Sequence, residues 1–269
     1  MRAQIGTVLL CLATTVYAAP NADSILTEAR DRDDGASYTT NVTLKLYSSD
    51  GDLRERHLYM LQKDMEDKEE RAVMHFHSPA DVRGVSFLIA NYDEATAKLD
   101  DQWMYLPAFR KTRRLGSNDK QGSFMGSTFN YSDLDKIRVN DYHSQLVGDE
   151  NVLGRDTWVI EREPVSQDVI NKTGYHKTRL WVDKERDIVM QQHYYNAKGI
   201  VFKEQQSTHV EEIQGVWTIM KSEMRNLENG KRSEMIFKNV EYNVGLDDKL
   251  VNKQTLKRGI NLAKVPSLK

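Results

Sequence analysis

Apolar and polar residues alternate with a period of two along most of this chain. Val42, Leu44 and Leu46, for example, are separated by single polar or charged residues. Such alternation is typical of a β-strand with one buried face. The dipeptide Asp50-Gly51 follows a few residues later and predicts a tight hairpin that leads into a return strand over residues 54–62.

The same pattern predicts a sheet of many short strands. Strands are expected over residues 38–47, 54–62, 72–77, 85–90, 102–106, 110–115, 142–147, 157–162, 176–182, 188–195, 201–210, 217–227 and 233–242. Turn-forming residues separate the runs, and no Pro-, Gly- or Ser-rich linker divides the chain. One continuous antiparallel sheet is therefore favoured over two domains. A sheet of that size must curl, which creates a concave face.

Helical signals are few. Two short segments predict helices, residues 24–32 and residues 132–137. The candidate N-cap residues are Asp23 or Ser24 for the first segment and Ser132 or Asp133 for the second. Both segments are candidates to cover the concave face or its opening, so the predicted fold class is mainly β with a few short helices.

The first residues differ from the rest of the chain. Arg2 gives a positive end, residues 5–16 are mostly apolar or small, and Val16-Tyr17-Ala18 fits a small-x-small cleavage site. This predicts a secretory signal peptide over residues 1–18, because a membrane span needs about 20 apolar residues. The mature protein would then be a single domain over residues 19–269 in an exported compartment.

The single cysteine, Cys11, would leave with the signal peptide. A lipid-bearing Cys11 is the alternative, but Leu10 before it is not small and the apolar run continues past it. A mature chain without a thiol excludes disulfides, cysteine nucleophiles and thiolate metal sites.

Composition narrows the function classes further. The 38 Lys and Arg residues nearly balance the 40 Asp and Glu residues, whereas nucleic-acid-binding domains usually carry a basic excess. Four Trp, twelve Tyr and seven Phe residues are too many for a disordered chain. A folded domain that does not bind nucleic acid is expected.

Residues 102–134 contain most of the distinctive sequence. The block includes QWMYLP at 102–107, KTRR at 111–114, GSFMGS at 122–127 and YSDL at 131–134. These motifs resemble the LolA-like family of outer-membrane lipoprotein-sorting proteins, in its wider exporter-associated branch. Weaker similarities, at residues 76–88, 180–183 and 238–258, extend the resemblance over roughly residues 70–258.

The resemblance implies a LolA/LolB-like fold, in which a strongly curved antiparallel sheet forms an incomplete β-barrel with helices lying in its mouth. It also implies a periplasmic carrier that shelters lipid or lipoprotein acyl chains during transfer toward the outer membrane. Family members are often associated with resistance-nodulation-division type inner-membrane exporters, so such an exporter is the implied partner. No cofactor is implied.

Aromatic residues and methionines in the central block are the candidate lipid-binding residues. They are Trp103, Tyr105, Phe124, Met125 and Phe129. Trp103 and Tyr105 share one face of a strand, and Phe124 and Met125 lie between two glycines that permit a flexible turn. Methionine suits a deformable cavity, and residues 19–269 contain nine. The alternative is that these side chains form an ordinary core.

The basic residues Arg110, Lys111, Arg113 and Arg114 permit two main interpretations. They are either a solvated edge that deters strand aggregation or a rim that meets a lipid phosphate or an acidic partner. Nucleic-acid binding is a third interpretation, which the net charge disfavours. A strand over residues 110–115 would carry charge on both faces, which favours a rim or an edge over a core position.

An enzyme remains the least favoured class. His75 and His77 have the spacing that places two strand residues on one face, but no third ligand stands nearby, so neither a metal site nor catalytic residues are predicted. No nucleophile elbow or phosphate-binding loop occurs. The alternatives to a carrier are an exporter adaptor without a ligand and an envelope-lipid hydrolase. An apolar pocket of several hundred Å³, on the order of known ligand sites, would favour the carrier.

Overall fold

The computed structural model describes residues 20–96 and 98–268. The predicted signal peptide over residues 1–18, including Cys11, lies outside the described residues. The strands are β1 (Ser37–Tyr47), β2 (Leu53–Asp64), β3 (Glu70–Ser78), β4 (Ser86–Asn91), β5 (Asp101–Leu106), β6 (Lys111–Arg114), β7 (Tyr142–Val152), β8 (Arg155–Pro164), β9 (Lys177–Asp183), β10 (Val189–Tyr195), β11 (Val201–Ile213), β12 (Val216–Asn226) and β13 (Arg232–Tyr242). The α-helices are α1 (Ala22–Asp31), α2 (Gln167–Thr173) and α3 (Lys253–Arg258), with several short 3-10 turns between elements.

All thirteen strands form one curved sheet in the order β6-β5-β4-β3-β2-β1-β13-β12-β11-β10-β9-β8-β7. Every neighbouring pair is antiparallel. Strands β1 and β13 pair at the centre, and β6 and β7 are the two open edges. The predicted mainly β fold with a single incomplete barrel is confirmed.

The residues of the predicted turn after β1 set the register of the first hairpin. Tyr47 pairs with Leu53, and Gly51 has a φ of +91°, a conformation that glycine adopts without steric cost. The predicted hairpin after β1 is therefore confirmed. Strand β7 continues to Val152, past its predicted end at residue 147, and its register with β8 shifts between Leu146 and Gly148. A shift of this kind interrupts the period of two from which the strand was predicted.

The helix boundaries correct the predicted caps. Helix α1 begins at Ala22, and its N-cap is Asn21, whose Oδ1 accepts a hydrogen bond from the backbone of Ser24 at 2.7 Å. Asp23 and Ser24 are thus inside the helix. The second predicted helix is a 3-10 turn over Tyr131–Leu134, preceded by Asn130 rather than capped by Ser132 or Asp133.

Helices α2 and α3 were not predicted from the sequence. They have seven and six residues, too few for a helical period to show. Their ends nevertheless carry ordinary signals. Ser166 and Asn252 cap the N-termini, and Gly174, which ends α2, has a φ of +79°.

Three segments cover the sheet. Helix α1 packs through Ile25 and Leu26 on the concave face of β8 and β9. The connection from β6 to β7, residues 115–141, enters the concave side of the other half. The C-terminal segment, residues 244–268, packs on the convex face of β2–β5. The predicted concave covers are confirmed, and the convex cover is an addition to them.

Candidate functional site

The two faces of the sheet separate side chains that are neighbours in sequence. On β3, Met74 faces the concave core, whereas Val73 faces the C-terminal segment. On β5, Met104 faces the concave core and Tyr105 the convex one. This division follows from the period of two in a strand and decides which candidate residues can share a site.

The concave face encloses a cavity of about 310 Å³, which we call the methionine cavity. Its lining combines flexible methionines with aromatic and branched side chains: Met60, Met74, Met224, Met235, Tyr38, Phe129, Leu134, Tyr194, Ile219, Phe237 and Val240. Four methionines in the lining make the cavity apolar and deformable. Its size is at the lower end of the range of small-molecule sites.

The segment 116–136, which closes one side of this cavity, contains one buried ion pair and is joined to β11 by a second. Lys120 Nζ lies 2.9 Å from Asp135 Oδ2, and Lys203 Nζ lies 2.7 Å from Asp133 Oδ2. The four charged side chains are all 5% exposed or less. Removing one partner of such a pair leaves an uncompensated buried charge. The Lys203–Asp133 pair therefore fixes the segment to the sheet, whereas the Lys120–Asp135 pair closes the segment on itself.

The Lys203–Asp133 pair extends into a small network. Lys203 Nζ donates to Tyr175 Oη at 2.6 Å, and Tyr175 Oη donates to Asp133 Oδ1 at 2.8 Å. Burial lowers the pKa of Lys203, and Asp133 opposes that shift. Burial, reinforced by Asp133, raises the pKa of Tyr175 well above its ordinary value. The network thus joins a cation, a carboxylate and a neutral phenol, a set whose charges compensate one another.

The structure does not bring the five predicted lipid-binding residues together. Phe124 is fully buried and packs against Phe76, Phe87 and Tyr131, with ring centroids 5.2–6.0 Å apart. Phe124 is therefore part of the concave core, and of the five candidates only Phe129 lines the methionine cavity.

The remaining three candidates occupy different surroundings. Met125 has a φ of +50° and is partly buried against the concave core. Tyr105 and Trp103 belong to the convex face, where they pack against the C-terminal segment. Lys253 Nζ of that segment lies 3.4 Å from the centre of the Trp103 ring, a cation–π contact. The predicted lipid-binding residues are therefore split between the concave and convex faces of the sheet.

The basic residues lie at the edge of the sheet, as alternation of charge favoured. Lys111, Arg113 and Arg114 form part of the edge strand β6 and are exposed, and Arg110 precedes them with a φ of +50°. Arg114 is paired with Asp101, and Arg113 Nη1 lies 3.7 Å from Asp119 Oδ2. We call these four residues the basic edge.

The two histidines of β3 lie on the convex face. His75 Nδ1 is 2.7 Å from Ser86 Oγ, and the ring of His77 stacks on Tyr59 with centroids 4.3 Å apart. Burial, reinforced by a neighbouring charge, lowers the pKa of both histidines. Both rings are only partly exposed and make contacts typical of a folded surface.

A second, polar cavity of about 560 Å³ adjoins the methionine cavity, and we call it the vestibule. Five residues line both spaces: Arg32, Asp34, Glu70, Asn91 and Lys136. The vestibule has eight acidic lining residues (Asp31, Asp34, Asp64, Glu69, Glu70, Asp93, Glu94 and Asp100) and five basic ones (Arg30, Arg32, Lys68, Lys136 and Arg138). The apolar cavity therefore opens into an acidic region.

Sequence reasoning did not identify the cavity lining or the vestibule. The methionines were noted as a class, but Met60, Met74, Met224 and Met235 come from four different strands. Asp34 and Glu70 occur in loops and strand ends of ordinary composition. Only the strand order brings these residues together, so the sequence contains no local signal for them.

No helix in residues 20–96 and 98–268 is both long and apolar enough to cross a membrane.

Comparison with known proteins shows which family the chain matches. A family model described as an uncharacterized protein matches residues 68–258. No curated protein matches the chain significantly.

Three solved structures share the fold. A domain from Vibrio parahaemolyticus, described provisionally as an outer membrane lipoprotein-sorting protein, is 28% identical with a TM-score of 0.79, over 88% of this chain and 98% of that one. A DUF1329 family protein from Desulfovibrio piger is 26% identical with a TM-score of 0.80, over 87% and 97% of the two chains. A LolA superfamily protein from Nitrosomonas europaea, 21% identical with a TM-score of 0.64 over 88% and 99%, shares the fold. The chain belongs to the LolA-like family.

Proposed function

We propose that this protein is a periplasmic carrier that binds the acyl chains of a lipid or lipoprotein in the methionine cavity for transfer toward the outer membrane. The observation that carries the proposal is the cavity itself, about 310 Å³ lined by four methionines and several aromatic side chains. A core filled to normal packing density would leave only voids near the size of a water molecule.

The energetics suit a carrier that must also release its cargo. Each buried CH₂ group contributes about 0.8 kcal/mol, so a chain of about 16 carbons offers roughly 12 kcal/mol before the costs of binding. Binding of this kind needs no catalytic group. Methionines can repack around chains of different shape, which supports a cargo class rather than one rigid ligand.

Two independent observations support a periplasmic location. The sequence predicts a signal peptide over residues 1–18, and the similar domain from Vibrio parahaemolyticus is described provisionally as an outer membrane lipoprotein-sorting protein. Both fit a protein that works between two membranes, where acyl chains need shelter from water.

A titration with a fluorescent fatty-acyl probe tests the proposal. Ala72 lines the cavity and is 3% exposed, whereas Ala90 on the neighbouring strand is 4% exposed and faces the other side of the sheet. The same enlargement at both sites, Ala72→Leu and Ala90→Leu, should cost a similar stability of about 1–3 kcal/mol.

Only Ala72→Leu should weaken probe binding, by at least about tenfold, equivalent to 1.4 kcal/mol. Equal binding by both variants would move the probe out of the cavity. A wild-type protein that binds no acyl probe would refute the carrier.

The basic edge favours a partner as a second part of the function. Its four basic residues stand beside Phe109, which is 70% exposed. We propose that this edge contacts an acidic surface of an inner-membrane exporter. Replacing Lys111 and Arg113 with Glu should change the free energy of unfolding by about 0.5 kcal/mol or less and leave probe binding intact. The delivery of cargo between the protein and the exporter should nevertheless fall, and the size of this loss should depend on salt concentration. Unchanged delivery would assign the edge to protection against strand aggregation.

A further inference from the structure

The vestibule holds more acidic charge than its cations neutralise. Arg30 pairs with Asp31 and Glu94, and Arg138 Nη1 lies 3.3 Å from Asp100 Oδ1. Arg32 donates to the carbonyl of Trp217 at 2.8 Å. These cations are therefore already engaged on one side of the vestibule.

The other side contains three carboxylates and one cation. Oxygens of Asp34, Asp64 and Glu70 all lie within 4.8 Å of one another. Lys136 Nζ is 3.1 Å from Asp34 Oδ2 and also contacts Glu70 Oε2. Asp64 has no ion pair among the described residues. We call these three carboxylates the acidic triad.

Besides Glu70 Oε2, which contacts Lys136, two buried acceptors in the vestibule have no hydrogen-bond donor among the described residues. Asn91 and Asp100 are each 7% exposed, and neither Asn91 Oδ1 nor Asp100 Oδ2 has a hydrogen-bond partner in residues 20–96 and 98–268. Asn91 Nδ2 donates to Glu70 Oε1 at 3.0 Å, so its carbonyl oxygen lies beside the triad. Buried acceptors are normally satisfied, and these two point to a ligand that brings donors.

The carboxylates of the acidic triad carry more negative charge than Lys136 neutralises. Burial raises the pKa of Glu70, against the opposing effect of Lys136, and burial together with Asp34 raises the pKa of Asp64. Burial lowers the pKa of Lys136, but Glu70 and Asp34 outweigh burial and hold that pKa above its ordinary value. A further positive charge would be favourable here.

We infer that the vestibule binds the cationic, ammonium-bearing head of an amphiphile whose alkyl chain occupies the methionine cavity. The inference rests on the proposed function and adds the chemical class of the head group. Continuity of the two spaces supports it, because Asp34, Glu70, Asn91 and Lys136 line both. An ammonium group supplies N–H donors to Asn91 Oδ1 and positive charge to the triad. Lys136 occupies part of that position in the free protein and competes with the ligand.

Two probes with the same chain and opposite heads test the inference. Dodecylammonium and dodecyl sulfate are titrated by calorimetry below their micelle concentrations. The wild-type protein should bind dodecylammonium about tenfold more tightly, a difference of 1.4 kcal/mol, and the preference should shrink at high salt.

Three variants sharpen the test. Asp64→Asn removes an exposed charge of the triad and should cut the preference about threefold, whereas Lys136→Met removes the competitor and should raise dodecylammonium affinity. Asp50→Asn is the matched control, because Asp50 is exposed in the β1–β2 hairpin at the far end of β2, and it should change nothing. A circular dichroism spectrum like that of the wild type confirms that each variant is folded.

The outcomes separate the two proposals. If neither probe binds, the carrier itself fails. If both bind equally, or the sulfate binds more tightly, the carrier stands and the cationic head is wrong. Binding of calcium alone at the triad, with no head-group preference between the alkyl probes, would likewise overturn the inference.

Discussion

The concave and convex faces of the same strands carry covers of different chemistry. On the convex face, the C-terminal segment packs through Leu250, Val251 and Leu256 onto Leu61 and Val73, all at most 8% exposed. On the concave face, segment 116–136 packs on the core with Phe124, is closed on itself by the buried pair Lys120–Asp135, and is joined to β11 by the buried pair Lys203–Asp133.

The difference explains where a ligand can go. The convex cover is held mainly by apolar packing, since its ion pair Lys63–Asp248 is largely exposed, and such a cover is stable when it fills the space beneath it. A cover joined to the sheet by a buried ion pair, as the concave cover is by Lys203–Asp133, keeps its position even where the space beside it is not filled. The methionine cavity lies beside the concave cover, whereas the space of about 400 Å³ beside the convex cover is lined mainly by polar and charged side chains. The apolar space is thus on the concave face.

The largest expected effect comes from breaking the concave anchor. Asp133→Ala leaves Lys203 Nζ buried without its carboxylate, so the free energy of unfolding should fall by about 3–5 kcal/mol. Adding Lys203→Met should recover most of that loss, because the uncompensated charge is removed. Urea unfolding measures both variants. A loss below about 1 kcal/mol for Asp133→Ala would show that the anchor does not hold the cover.

An intermediate effect should distinguish the two faces directly. Leu256 is fully buried in the convex cover, whereas Met74 borders the methionine cavity. Truncation to Ala costs about 2–5 kcal/mol for either residue type, depending on the cavity created. Leu256→Ala should approach the upper value and Met74→Ala the lower one, since Met74 already borders open space.

Acyl-probe binding adds a second readout to this pair. Per folded molecule, Leu256→Ala should bind the probe as the wild type does, and Met74→Ala should change its affinity. Equal costs and equal binding would mean that both faces are closed cores, contrary to the proposed carrier.

The fold could be predicted largely from the sequence, and the site largely could not. Thirteen strand positions follow from alternation and turn residues, because both are local properties of the chain. Alternation shows that Trp103 and Tyr105 share a face, but it does not show which face is concave. That choice depends on how β1 pairs with β13 and on where residues 244–268 pack, and both are contacts distant in sequence.

The acidic triad was missed for the same reason. Asp34 precedes β1, Asp64 ends β2 and Glu70 begins β3. Each residue alone looks like a solvated carboxylate at the end of a strand, as the acidic run over residues 64–70 does in the sequence. Their proximity arises only when the loop before β1 meets the β2–β3 connection.

The smallest expected effect concerns Asp64, at the open end of the concave face. Its pKa is raised in the folded protein by burial and by Asp34. The folded state therefore binds a proton more tightly at Asp64 than the unfolded chain does. This penalty is absent at pH values well below the ordinary pKa of an aspartate and develops as the pH rises through that pKa and the raised folded-state pKa.

Asp64→Asn should thus leave the free energy of unfolding unchanged at low pH. At neutral pH the substitution should raise it by about 0.2–0.5 kcal/mol, since the side chain is largely exposed and screened. Unfolding by urea at several pH values, with Asp50→Asn as the control, measures this difference. The gain should shrink in high salt. A variant that is less stable than the wild type at neutral pH would mean that Asp64 is held by a favourable contact. The acidic triad would then be a structural element of the vestibule rather than a site kept for a cationic ligand.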